Sequence, residues 1–281
     1  MTATLYSGTM QAHQQGAVLW FSFPALDCYA PALLHGFSSR LGGVSQGGAA
    51  SLNLALRMAD PPQNVRENYR IFSRELGFDY TKLVFSQQTH TTNIRVATTA
   101  DAGKGICRER DYRDIDGLIT QEPQLPLITH HADCASLFFY EPQAQLIGVA
   151  HAGWRGTIHN IAAAMVEKLT TLGGRPERLI AAVGPCAGPC CYQVGAEVAD
   201  QFAPLADEQG SMCRPALEKG KFLIDIPRTN RLLLLQAGVS AAKISLSGLC
   251  TICHNDIFYS HRCQGLDRGA MGAVMMMTHK R

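Results

Sequence analysis

Hydrophobic residues fall into two kinds of stretch along the chain: short continuous apolar runs, and segments with a period of three to four. Residues 18–23, Val-Leu-Trp-Phe-Ser-Phe, form the first run and predict a strand. Val65, Tyr69, Phe72 and Leu76 recur at helical spacing, with Asp60-Pro61-Pro62 as the cap and Gly77 as the stop. Residues 82–86 predict a short strand, and residues 91–96 the next strand, paired with it. Residues 97–115 are charged, contain glycine and predict a loop. Residues 115–120 and 127–129 predict short strands around Pro123 and Pro126. Residues 134–140 and 145–150 are largely apolar, broken only by Ser136 and Gln145, as fits buried strands.

The second half continues the mixture. Ile161, Met165, Val166 and Leu169 predict one helix over 157–172, closed by Gly173-Gly174. Strands are expected at 179–183, 221–226, 244–249 and 270–277, and helices at 194–202 and from Pro227 to Gln236. Residues 1–15 are expected to fray. Residues 35–56 are rich in Gly and Ser and predict a flexible surface loop or a loop that approaches a ligand. No repeat and no linker interrupts the sequence, which predicts a single domain over 1–281. Strands and helices follow each other without a steady βαβ rhythm, which argues for α+β.

Composition narrows the function classes. The 281 residues are 46% hydrophobic and 17% charged, with a formal net charge of +2, so neither a disordered chain nor a polyelectrolyte fits. No Lys/Arg block marks a nucleic-acid surface; His279-Lys280-Arg281 is too short for one. No run approaches the ~18 apolar residues of a membrane span. Arg40 is the first basic side chain, so no export or transit signal is read at the start. A cytoplasmic, reducing setting is therefore expected, with the ten cysteines as thiols or metal ligands.

Three segments could carry chemistry. His151-Ala152-Gly153-Trp154-Arg155-Gly156-Thr157 reads as strand end, glycine turn and helix start. A helix N-terminus with Arg155 beside Gly156 suits an anion such as phosphate. His130-His131-Ala132-Asp133-Cys134 places a cysteine before an apolar strand, 17 residues ahead of His151. An antiparallel return would bring Cys134 and His151 together, and of His130 and His131 at most one would join them. His90 ends a third strand candidate. His90, Cys134 and His151 thus form a candidate Cys/His₂ set, three ligands with an open position, as catalytic zinc requires. Asp133 or Asp116 is the candidate acid/base or outer acceptor. Cys250-Thr-Ile-Cys253 is a half-site for a second, structural zinc, with Cys186, Cys190 and Cys191 as the other half.

The run from Asp114 to Thr157 resembles the YfiH-type family, also called laccase-domain or polyphenol-oxidase proteins and purine nucleoside phosphorylases. RLGGVS at 40–45, SLNL at 51–54, GPCAGPCCYQVG at 184–195 and LCTICHNDIFYSHR at 249–262 extend the resemblance over nearly the whole chain. It implies a layered α/β/β/α sandwich with mixed sheets and a zinc held by His90, Cys134 and His151. The activity it implies is phosphorolysis of adenosine, inosine and S-methyl-5′-thioadenosine, together with deamination of adenosine. Small purine nucleosides and phosphate are then the partners. Cys134, His90, His151 and Asp133 are the expected catalytic set, and Arg40, Asn53, Arg155 and Gly156 the expected substrate or phosphate contacts. Copper polyphenol oxidation, and metal-independent cysteine hydrolysis linked to peptidoglycan editing, are the alternative readings. The oligomeric state is not read from the sequence.

Overall fold

The computed structural model describes residues 9–56 and 60–278; the basic end at 279–281 and residues 1–8 of the expected frayed start lie outside these. Two six-stranded mixed sheets carry the fold. In chain order their first ten strands are β1 (Gln11–Gln15), β2 (Val18–Ser22), β3 (Leu33–Ser38), β4 (Val84–Phe85), β5 (Ile94–Val96), β6 (Gly117–Thr120), β7 (Leu127–His131), β8 (Ala135–Glu141), β9 (Leu146–Ala152) and β10 (Ile180–Val183). One sheet runs β1-β2-β3, then Met271–Met277, then β7-β4; the other runs Ile244–Leu246, then β10-β8-β9-β6-β5. Residues 11–15 are therefore a paired edge strand and not a frayed start.

The side-chain period of a strand explains the layers. On β8, Phe138 and Tyr140 face the other sheet, where they meet Phe21, Phe23, Phe37 and Met275. Leu137 and Phe139 face the opposite way, onto helices Ile161–Thr171 and Ile226–Gln236. Met271–Met277 divides likewise: Met275 enters the inter-sheet core, while Val274 and Met276 pack on Val65, Tyr69 and Phe72 of helix Pro62–Leu76. Helix, sheet, sheet and helices thus stack in four layers. Because every central strand is covered on both faces, its sequence is an apolar run rather than an alternation.

Several expected elements change. Ile94–Val96 does not pair with β4; it crosses to the other sheet and lies parallel to β6. The helix expected over 157–172 is two helices, Trp154–Ile158 and Ile161–Thr171. Asn160 breaks them at φ 62, and its side chain accepts a bond from the Ala163 N–H to start the second. Asp60 does not cap helix Pro62–Leu76; its carboxylate accepts from Ser45 Oγ at 2.6 Å and Asn53 Nδ2 at 2.7 Å. The Gly/Ser-rich loop is only partly at the surface: Val44, Gln46 and Gly47 are exposed, while residues 52–55 turn inward. Leu52, Asn53 and Leu54 are fully buried, and a Cβ on Gly43 would lie 2.3 Å from the Ser51 carbonyl.

Candidate metal centre

β8 and β9 form an antiparallel hairpin in which Ser136 faces His151 and Ala135 faces Ala152. One further step of this register sets Cys134 against Gly153. His151 shares the face of Val149 and Ile147, so its ring enters the space between the sheets at their open end. His90 arrives from the loop after β4, at φ 66, with its ring edge-on to His151 at 4.8 Å. His90, Cys134 and His151 each offer a ligand atom, and these atoms lie within 4.8 Å of one another.

Asp116 organises this arrangement from the start of β6. One carboxylate oxygen accepts from His151 Nδ1 at 2.8 Å, which leaves Nε2 of His151 for the cluster. The same carboxylate accepts the backbone N–H groups of Thr89, His90 and Thr91 at 3.0, 3.1 and 2.9 Å. A single fully buried acid therefore folds the His90 loop and orients the His151 ring. Burial works against its charge, and the His151 bond and the loop amides outweigh that, so Asp116 stays below the usual carboxylate range. His151 is raised to about 9: burial opposes its charge, and the Cys134 sulfur and Asp116 prevail. Positive charge is favoured where these groups converge. On His90, burial and the facing His151 lower the affinity for a proton.

Two further observations fit a metal ion to these residues. Nδ1 of His90 is buried and has no hydrogen-bond partner. An added Cβ on Gly153 would lie 2.5 Å from that nitrogen and 3.0 Å from Cys134 Sγ. Gly153 has φ −68 and ψ 172, which any residue adopts, so its value here is room and not backbone freedom. An imidazole–carboxylate pair behind a ligand nitrogen is the usual outer support of a metal-binding histidine. The donor set, two nitrogens and a sulfur, suits zinc or copper.

Other expected site residues are placed elsewhere. Asp133 turns its carboxylate away, accepting from Thr251 Oγ1 at 2.7 Å, Ser260 Oγ at 3.0 Å and the Arg262 N–H at 2.7 Å. It anchors loops while bordering the cavity beside Cys134; the acid in contact with the cluster is Asp116. Arg40 is spent on the carbonyls of Ala50 and Asn255 and stacks on Tyr259. Asn53 is fully buried, bonding Ala55, Asp60 and the Ala270 N–H. Neither reaches the cluster, because both fasten the Gly/Ser-rich loop. Gly156 is buried inside the five-residue helix Trp154–Ile158, where a Cβ would find ordinary contacts. His131 spends Nε2 on Thr129 and Nδ1 on the Cys134 carbonyl, while His130 meets the Tyr69 hydroxyl at 2.7 Å. Neither histidine joins the donor set.

The cluster separates two cavities. One, of about 400 Å³, is bordered by Arg110, His130, His151 and Ala270. The other, of about 350 Å³, is bordered by Trp154, Arg155, Tyr192, His261 and Arg262. His90, Cys134 and Arg268 line both. Arg155 lies over the Trp154 ring at 4.1 Å. Sequence reasoning gave Arg268 no role, and Gly153 and Arg262 entered it only within longer motifs.

Comparison with known proteins places this geometry. Residues 34–278 match the family model described as multi-copper polyphenol oxidoreductase laccase. The chain belongs to this family. Within the laccase-like family it is 36% identical over 248 residues to the purine nucleoside phosphorylase YlmD of Bacillus subtilis, covering 86% of this chain and 87% of that protein. It is 32% identical to the adenosine deaminase RL5 of an unknown prokaryotic organism, over 83% of this chain and 90% of that one. The crystal structure of YlmD from Geobacillus stearothermophilus superposes with a TM-score of 0.86 at 33% identity, covering 97% of this chain and all of that one (100%). The four-layer, mixed-sheet sandwich is thus the fold of the laccase-like family. Among the described residues, no helix is long and apolar enough to cross a membrane.

Proposed function

We propose that this chain is a zinc-dependent purine nucleoside phosphorylase acting on adenosine, inosine and S-methyl-5′-thioadenosine, with adenosine deamination as a second activity. The carrying observation is the convergence of His90, Cys134 and His151 around a buried, unpartnered ring nitrogen, on a chain whose relatives bear these two enzyme names. We read residues 1–281 as one catalytic domain. None of the ten cysteines is in a disulfide, in keeping with a reducing, cytoplasmic setting.

In phosphorolysis a hydrogen-phosphate oxygen attacks the sugar C1′ as the C1′–N9 bond breaks and the departing purine takes up the proton, giving the free base with ribose 1-phosphate, or 5-methylthioribose 1-phosphate from S-methyl-5′-thioadenosine. Arg155, Arg262 and Arg268 border the same cavity and supply the charge that holds phosphate there. Tyr192 and Trp154 give that cavity flat apolar walls against which a purine can lie. Asp116 keeps His151 and the His90 loop in place through turnover. A zinc ion bound by His90, Cys134 and His151 would supply Lewis acidity toward a substrate oxygen. Holding substrate and phosphate in register is the largest contribution available to the chain's own groups.

The test is chromatography of products from adenosine, inosine and S-methyl-5′-thioadenosine, with and without phosphate and with a chelator. Free base appearing only with phosphate, and lost with the chelator, is expected, together with inosine from adenosine when phosphate is omitted. Chelator-insensitive turnover blocked by labelling of Cys134 would instead mean a cysteine hydrolase. Phenol oxidation by copper-loaded protein, without nucleoside turnover, would mean the oxidase.

A further inference from the structure

A second group of thiols lies away from the cluster at His151. Cys190 and Cys191 follow the Gly188-Pro189 turn after β10; Cys250 and Cys253 belong to the segment after strand Ile244–Leu246. The two segments meet backbone to backbone: the Cys186 N–H donates to the Leu249 carbonyl at 3.3 Å and the Thr251 N–H to the Cys186 carbonyl at 3.0 Å. Across this junction the Cys253 sulfur lies 3.5 Å from that of Cys190 and 3.3 Å from that of Cys191. All four sulfurs lie within 4.8 Å of one another.

These separations decide between two chemistries. A disulfide needs its sulfurs at about 2.05 Å. A tetrahedral zinc with bonds of about 2.3 Å spaces its sulfurs by about 3.8 Å. The observed spacings stand near the second and far from the first. The backbone around Cys250 is shaped for a thiolate. The Gly188 N–H donates to its sulfur at 3.3 Å, and the N–H groups of Ile252 and Cys253 turn to it as well. Arg214 and Arg262 bond the carbonyls of Pro189 and Gln193, on either side of the Cys190-Cys191 pair. Two fixed positive charges there would offset a tetrathiolate centre. Cys186, an alternative ligand by spacing alone, is buried outside the group.

We propose that Cys190, Cys191, Cys250 and Cys253 hold a second zinc ion, a closed four-sulfur site that fastens the 184–195 loop to the 249–254 turn. The 184–195 loop walls the cavity beside Cys134 through Ala187 and Tyr192, and the 249–254 turn supports it from behind. Tyr192 adjoins Cys191, and Thr251, between the two later ligands, holds Asp133. The site stabilises that wall and takes no part in the reaction.

The full chain, produced with ample zinc, tests this without reading turnover. Elemental analysis should give two zinc ions per wild-type chain and one per Cys134→Ala chain. X-ray absorption of the Cys134→Ala protein should show four sulfurs at about 2.3 Å. In unreduced wild-type protein, alkylation followed by peptide mapping should find these four thiols protected until a chelator is added. The double variant Cys250→Ser/Cys253→Ser should keep one zinc and melt at a lower temperature; if it does not fold, the wild-type and Cys134→Ala measurements still decide. Zinc-free Cys134→Ala protein, equal alkylation with and without chelator, or peptides joined by disulfides among the four would each overturn the proposal. None of these readouts depends on nucleoside chemistry, so the two proposals fail separately.

Discussion

Gly153 and Asp116 show how much of a site can rest on groups that bind nothing themselves. The Gly153 backbone suits alanine, so Gly153→Ala changes only the space between His90 and Cys134. The unfolding free energy should stay within about 1 kcal/mol of wild type. Turnover should fall on the order of 100-fold, because displacing a reacting group by an ångström costs that much. Denaturant unfolding beside a turnover assay checks the split, and a variant with wild-type metal content and rate would contradict it. Asp116→Asn keeps the shape and removes the charge behind His151. Metal affinity should drop by about 10–100-fold in a competitive chelator titration. An unchanged affinity would mean that Asp116 only folds the loop.

At the scale of elements, the hairpin of β8 and β9 was legible because its partners are adjacent in sequence and both strands are largely apolar. The same pattern could not say which sheet received Ile94–Val96, since register between distant strands is set by tertiary packing. The split at Asn160 was hidden because the apolar spacing of Ile161–Thr171 continues the preceding turn; only the left-handed residue breaks it. β5 is also held by charge. Asp101 takes Arg95 of β5 at 2.7 Å and Lys104 at 2.8 Å. Burial alone would raise the Asp101 value from 3.8, and those two bonds hold it at about 2. A value depressed by folding stabilises fully above pH 4, and the gain is lost as pH falls through about 2. Urea midpoints across this range should fall more steeply for wild type than for Asp101→Asn. Parallel curves would sink this reading.

For the whole molecule, the four layers leave an open end between the sheets, and the loops from both sheets meet there. Cys134 and His151 were legible as neighbours because one precedes β8 and the other stands near the end of β9; His90, expected at a strand end, sits instead in the loop five residues beyond β4. Arg40 and Asn53 stand apart from the cluster because the Gly/Ser-rich loop, which reads as mobile, turns inward at residues 52–55 and consumes their polar atoms. Asp133, beside Cys134, borders the same cavity, but at φ 84 its carboxylate turns to Thr251, Ser260 and Arg262, which its place in the sequence did not show. Arg268 had no signal in the sequence, and Arg262, the last residue of the motif at 249–262, stands 128 positions after Cys134, a distance that only folding closes.

The most direct measurement is anomalous X-ray diffraction at the zinc edge, on crystals of the wild-type chain produced with zinc. A peak is predicted between Nδ1 of His90, Sγ of Cys134 and Nε2 of His151, about 2.0–2.3 Å from each. Crystals with those three side chains ordered and no peak among them would contradict the account.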